Sequence, residues 1–206
     1  MIDARPILER CRVIPVVTVL SADDAPAIGQ ALLDGGIDII EVTLRSSAGL
    51  AAIEQLCYAC PDLCVGAGTV WTQTQASAAI DAGAQFVVSP GFVDAVLDEC
   101  LDDSIPYLPG VQTVTETAQL VARGAQAVKF FPASIAGGPA ALRAFAAVFP
   151  EIVFCPTGGI SRETARSYLE IDSVPCVGGG WLTPEATLAA RDWGAVRSAA
   201  AAAVAL

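Results

Sequence analysis

Short runs rich in β-branched residues alternate with Ala-rich stretches along the whole chain, and this alternation predicts a strand–helix repeat. The predicted strands are VIPVVTV from Val13, IIEVTL from Ile39, CVGAGTV from Cys64 and FVVSP from Phe86. They continue with IPYLPG from Ile105, AVKFFP from Ala127, IVFCPTGG from Ile152 and PCVGGGW from Pro175. Between them, Ser21-Ala-Asp-Asp, Thr113-Val-Thr-Glu and Ser161-Arg-Glu-Thr carry the hydroxyl and acidic residues that start helices. Gly36, Gly83 and Gly124 each stand just before a predicted strand, where a left-handed glycine can end the preceding helix.

Eight strands alternating with helices, without a linker or a shift in composition, predict one α/β domain over residues 1–206, a single closed parallel (β/α)8 barrel. The segment before Val13 is expected to be an extra N-terminal helix closing the barrel bottom, and residues 192–206 a final Ala-rich helix. A doubly wound open sheet is the structural alternative. It would need a glycine fingerprint after the first strand, where Ser-Ala-Asp-Asp stands instead.

Composition changes this picture little. The 54% hydrophobic content suits strands buried on both faces beneath helices. No apolar run approaches the ~20 residues that span a bilayer, and the N-terminus has no signal-peptide core, so a cytoplasmic protein is expected. A net charge of −11 with no basic run argues against nucleic-acid and anionic-membrane partners. Cys57, Cys60 and Cys64 include a C-x-x-C spacing, but seven cysteines make no dense disulfide pattern and read as reduced thiols.

The chain has no His, which removes Ser-His-Asp triads, Cys-His pairs and His-ligated metals. Acid–base chemistry must fall to carboxylates, Tyr, Cys or the single lysine, Lys129. Lys129 lies in an apolar strand, where a charged ammonium is costly to bury. Desolvation between Phe130 and Phe131 would favour the neutral amine that imine formation requires. A lysine snorkelling to the rim, or merely paired with a carboxylate, is the bland alternative. In the second strand, period-two alternation puts Glu41, Thr43 and Arg45 on one face. Glu41 could shuttle protons and Arg45 could grip a carboxylate; spacing alone equally allows a self-satisfied Glu–Arg pair. Gly66 and Gly68, with Thr69, end the third strand and could admit a ligand to the backbone. Glycine turns after the last two strands, Thr157-Gly158-Gly159 and Gly178-Gly179-Gly180, match a common phosphate site of barrels.

With these residues assembled, the chain resembles the 2-keto-3-deoxy-6-phosphogluconate (KDPG) aldolase / 4-hydroxy-2-oxoglutarate (KHG) aldolase family from Arg12 to the last helix. The resemblance rests on EVTLR at Glu41, GAGTV at Gly66, SPG at Ser89, PG at Pro109, VKFFPA at Val128, CPTGGI at Cys155 and VGGGW at Val177. It implies a homotrimeric barrel that reversibly cleaves KDPG to pyruvate and glyceraldehyde 3-phosphate with neither a metal nor another cofactor. Lys129 would be the Schiff-base lysine and Glu41 the general acid/base. Arg45 and Thr69 would bind the pyruvate part, Pro90 and Phe131 would line the pocket, and Thr157, Gly158, Gly159, Gly179 and Gly180 would serve the phosphate end. One position departs, because the family commonly carries Ser where Gly180 stands. Alternatives are a 4-hydroxy-2-oxoglutarate aldolase, a phosphate-binding barrel isomerase or synthase in which Lys129 only binds charge, and a non-catalytic binding barrel.

Overall fold

The computed structural model describes all residues, 1–206. Helix α1 (Arg5–Leu8) is a single turn preceding β1 (Val13–Val17). It is much shorter than the closing helix expected there, but it buries Leu8 completely. A 3-10 turn (Ala22–Asp24) then leads into α2 (Ala25–Asp34), β2 (Ile39–Thr43), α3 (Gly49–Ala59), β3 (Cys64–Gly68) and α4 (Gln73–Asp81). Next come β4 (Phe86–Val88), α5 (Asp94–Asp102), β5 (Tyr107–Leu108), β6 (Gly110–Val111), α6 (Val114–Ala122) and β7 (Ala127–Phe130). The chain ends with α7 (Gly138–Val148), β8 (Val153–Pro156), α8 (Arg162–Leu169), β9 (Val177–Gly179), α9 (Glu185–Ala189) and α10 (Trp193–Val204).

Strand pairing is parallel throughout. One six-stranded sheet runs β5-β4-β3-β2-β1-β9 and a second runs β6-β7-β8. The single expected strand at IPYLPG is thus two short ones, each ending in a different sheet. The cause is Pro109, which has no N–H for the ladder. Its carbonyl still accepts from the Lys129 N–H at 2.9 Å, so the chain passes from one sheet to the other there. On the far side, a parallel bridge between Thr157 and Gly178 joins the end of β8 to β9.

Local signals account for most boundaries. Thr113 and Glu116 form a capping box at α6, and Ser161 forms one with Thr164 at α8. Ser21 caps only the 3-10 turn and makes no side-chain cap bond, so α2 begins later than its sequence suggests. Gly36, Gly83 and Gly124 have φ of +86°, +99° and +83°, each three residues before β2, β4 or β7. One continuous core of 59 buried residues fills the space within the strands and beneath the helices. No helix is long and apolar enough to cross a membrane.

Candidate active site

The residues that could carry chemistry converge on a cavity of about 560 Å³. It is lined by residues at or just beyond the C-terminal ends of six strands: β1, β2, β3, β7, β8 and β9, with Pro90 from the turn after β4. Strand alternation explains how β7 contributes. Lys129 points into the cavity, while Phe130 on the opposite face packs edge-on against Phe145 of α7 at 5.3 Å. Phe130 therefore does not flank the amine, contrary to expectation. Phe131 does, with its ring centroid 5.5 Å from Lys129 Nζ.

Lys129 Nζ lies 3.1 Å from Glu41 Oε1 and 3.4 Å from Oε2. Both residues are buried, at 5% and 4% exposure, so the pair is held in a low-dielectric site. Glu41 owes its position to its neighbour across the ladder. Strand β3 runs beside β2 with Thr43 opposite Gly68, and a Cβ on Gly68 would overlap the Glu41 carboxylate. Gly66 likewise makes room for the Phe86 ring. These two glycines admit protein side chains, where the sequence suggested ligand access.

Arg45, just past β2, is exposed, lines the same cavity and forms no ion pair within the chain. The self-satisfied Glu41–Arg45 pair is therefore not what forms; Glu41 is engaged by Lys129 instead. Thr43 does not reach the cavity. It is fully buried and its hydroxyl meets that of Thr18 at 2.8 Å, tying the end of β2 to β1. Thr69 lines the cavity from a left-handed backbone at φ +61°, a conformation uncommon outside glycine and held here between two paired strand ends. Pro90 and Thr157 also line it; the buried Ser89 hydroxyl, donating to the Val70 carbonyl, anchors the turn that carries Pro90.

Gly158 and Gly159 line the wall at φ of +100° and +70°, and Gly180 lines it without a positive φ. Gly179 does not face the cavity; its missing side chain makes room for the Trp181 ring. Sequence reasoning missed Val16, Ile160 and Trp181 as lining residues, whereas Gly178, read as part of a phosphate-type turn, does line the cavity. Only Trp181 carried a usable signal, as a large aromatic directly after a glycine run. Gly178 serves Thr157, whose hydroxyl occupies the place a Cβ would need.

Other acid–base candidates drop out. Burial pushes Tyr107 up to about 12 and Cys11 up to about 12, so neither titrates near neutral pH. In the C-x-x-C segment, Cys57 faces the Gly83 carbonyl and Cys60 the Pro26 carbonyl, and burial raises both thiols and that of Cys64. All seven cysteines are free.

Residues 4–199 match the family described as "Aldolase: KDPG and KHG aldolase". The 2-dehydro-3-deoxy-phosphogluconate aldolase of Pseudomonas aeruginosa is 44% identical over 185 residues, covering 90% of this chain and 84% of its own length. The KHG/KDPG aldolase of Escherichia coli is 41% identical over 191 residues, covering 93% and 90%. The crystal structure of the Legionella pneumophila KDPG aldolase superposes with a TM-score of 0.93 at 38% identity, covering 96% of each chain. In that structure pyruvate is captured at low pH as a covalent carbinolamine intermediate. With the family model matched over nearly the whole chain and these two relatives above 40% identity, this chain belongs to the KDPG and KHG aldolase family.

Proposed function

We propose that the protein is a class I aldolase that reversibly cleaves KDPG to pyruvate and D-glyceraldehyde 3-phosphate, working as a homotrimer of single-domain (β/α)8 barrels in the cytoplasm. The observation that carries the reading is the buried contact of 3.1 Å between Lys129 Nζ and Glu41, beside an unpaired Arg45 in one cavity. Support for the barrel comes from the all-parallel pairing and the Thr157–Gly178 bridge between the two sheets.

The chemistry follows from those groups. Transfer of a proton from Lys129 to Glu41 across their contact leaves a neutral amine and a carboxylic acid. The amine attacks the C2 ketone of KDPG, and the carbinolamine loses water, with the Glu41 acid protonating the departing hydroxyl, to give the iminium. Glu41, now a carboxylate, takes the proton of the C4 hydroxyl. The C3–C4 bond then breaks, its electron pair moves into the iminium as an enamine, and the aldehyde leaves. Glu41 returns the proton to C3, and water hydrolyses the resulting pyruvate imine to free the lysine. Arg45 holds the substrate carboxylate with paired hydrogen bonds. Thr69, Pro90 and Phe131 shape the pyruvate end. Thr157 and the backbone of Gly158, Gly159 and Gly180 receive the phosphate.

A second reading keeps the imine and changes the aldehyde. 4-Hydroxy-2-oxoglutarate would give pyruvate and glyoxylate, and the Escherichia coli relative carries both substrates in its name. Pyruvate release from KDPG and from 4-hydroxy-2-oxoglutarate, measured side by side, tests both. Faster release from KDPG supports the proposal, and release only from 4-hydroxy-2-oxoglutarate replaces it with the second reading. No release from either overturns the aldolase assignment.

A further inference from the structure

We propose that the Ser134 hydroxyl is a further specificity-determining donor, binding the phosphate of the aldehyde half next to the Gly158–Gly159 turn. The inference rests on the aldolase reading and names a group that sets its preference for a phosphorylated substrate. The turns after β7 and β8 are bonded together. The Ala133 N–H donates to the Thr157 carbonyl at 2.8 Å, and the Ser134 N–H donates to the Gly158 carbonyl at 3.0 Å. These bonds fix the backbone of Ser134 beside the Gly158–Gly159 turn, whose glycines line the cavity. Its Oγ occupies the place a Cβ on Gly159 would need, so the hydroxyl is in direct contact with a cavity-lining residue. Ser134 is also exposed, and none of the chain's side-chain hydrogen bonds uses its hydroxyl.

Charge gives that hydroxyl its importance. Of the 14 residues lining the cavity, only Arg45 and Lys129 are cationic, and Lys129 is paired with Glu41. The wall built from the turns after β8 and β9 is Thr157, the three glycines Gly158, Gly159 and Gly180, and the apolar Ile160 and Trp181. A phosphate there, in a chain of net charge −11, must be held by neutral donors. Thr157, already placed at the phosphate end, is mostly buried against Gly178 and has a single hydroxyl proton to give. Ser161, the next hydroxyl along the turn, is committed to its helix cap and donates to Glu163 at 2.6 Å. Ser134 is the hydroxyl beside this turn that remains uncommitted.

The test compares wild type with Ser134→Ala on KDPG and on its unphosphorylated analogue, 2-keto-3-deoxygluconate. The substitution removes one oxygen from an exposed residue and leaves the backbone bonds in place. A lost hydrogen bond to a charged group should lower kcat/KM for KDPG by roughly tenfold or more. The value for the unphosphorylated analogue should stay unchanged, and inorganic phosphate should inhibit the variant more weakly. An unchanged ratio, or an equal loss on both substrates, overturns the role of Ser134. Trapping pyruvate on Lys129 with borohydride in both proteins separates the two levels of failure. A trapped adduct with an unchanged ratio removes Ser134 alone, whereas no adduct in wild type removes the aldolase reading and this inference together.

Discussion

Gly68 and Glu41 are fitted to one another: the carboxylate of Glu41 fills the space that a side chain on Gly68 would take, and from there it reaches Lys129 Nζ at 3.1 Å. Gly68→Ala should therefore push Glu41 away from the amine. Overpacking at such a site costs about 1–3 kcal/mol of stability, but the larger effect should be on turnover, because proton transfer depends on contact distance. Thermal denaturation and kcat measured on the same preparation check this. A variant with wild-type kcat would show that Glu41 need not stay where Gly68 lets it sit.

Glu41→Gln keeps the shape of the side chain and removes its ability to accept a proton. Turnover should fall by roughly 10²–10⁴, while some imine with pyruvate still forms at Lys129. Single-turnover trapping alongside steady-state cleavage separates the two steps. Near wild-type turnover would reduce Glu41 to a structural partner of the lysine.

Arg45 is the cavity's unpaired cation, and Arg45→Ala should weaken capture of the substrate carboxylate. A hydrogen bond to a charged group is worth roughly 1.5–3 kcal/mol, or about 10- to 150-fold in affinity. The loss should appear in KM for pyruvate in the condensation direction. An unchanged KM would assign the carboxylate to another group.

How far the site was legible before the fold was known depends on what each residue does. Lys129, Glu41 and Arg45 stood out because a charged side chain in or at the end of an apolar strand needs a reason to be there, and the strand period gave Glu41 and Arg45 a common direction, although Thr43 between them stays out of the cavity. The glycine turns after the last two strands were legible as a place for a phosphate, but which glycines face the cavity and which make room for protein was not. Whether Gly68 makes room for a ligand or for Glu41, and whether Gly179 faces substrate or Trp181, depends on side chains from positions distant in sequence or on local turn geometry. Pro109 could have been flagged as a break in the fifth strand, since proline cannot donate to a ladder. Which sheet each half would join depends on pairing with β4 and β7, which no local pattern encodes.

Gly180 bears on how strongly phosphate is selected. It has no positive φ, and a Cβ there would meet nothing nearer than the Val16 carbonyl at 3.7 Å, so Gly180→Ser is tolerated by the backbone. The added hydroxyl should raise the ratio of kcat/KM for glyceraldehyde 3-phosphate over glyceraldehyde, by about 10-fold or more if it reaches the phosphate. An equal ratio in the two proteins would mean that backbone amides and the donors already present saturate the site.

The central claim is that Lys129 forms an imine with pyruvate, and intact-mass analysis after treatment with pyruvate and borohydride tests it most directly. The account predicts one reduced pyruvyl group per chain, located by peptide mapping at Lys129, the only lysine. It also predicts no such adduct in Lys129→Arg, whose guanidinium cannot be deprotonated to act as a nucleophile. Modification confined to the N-terminal amine, with Lys129 untouched, would contradict it.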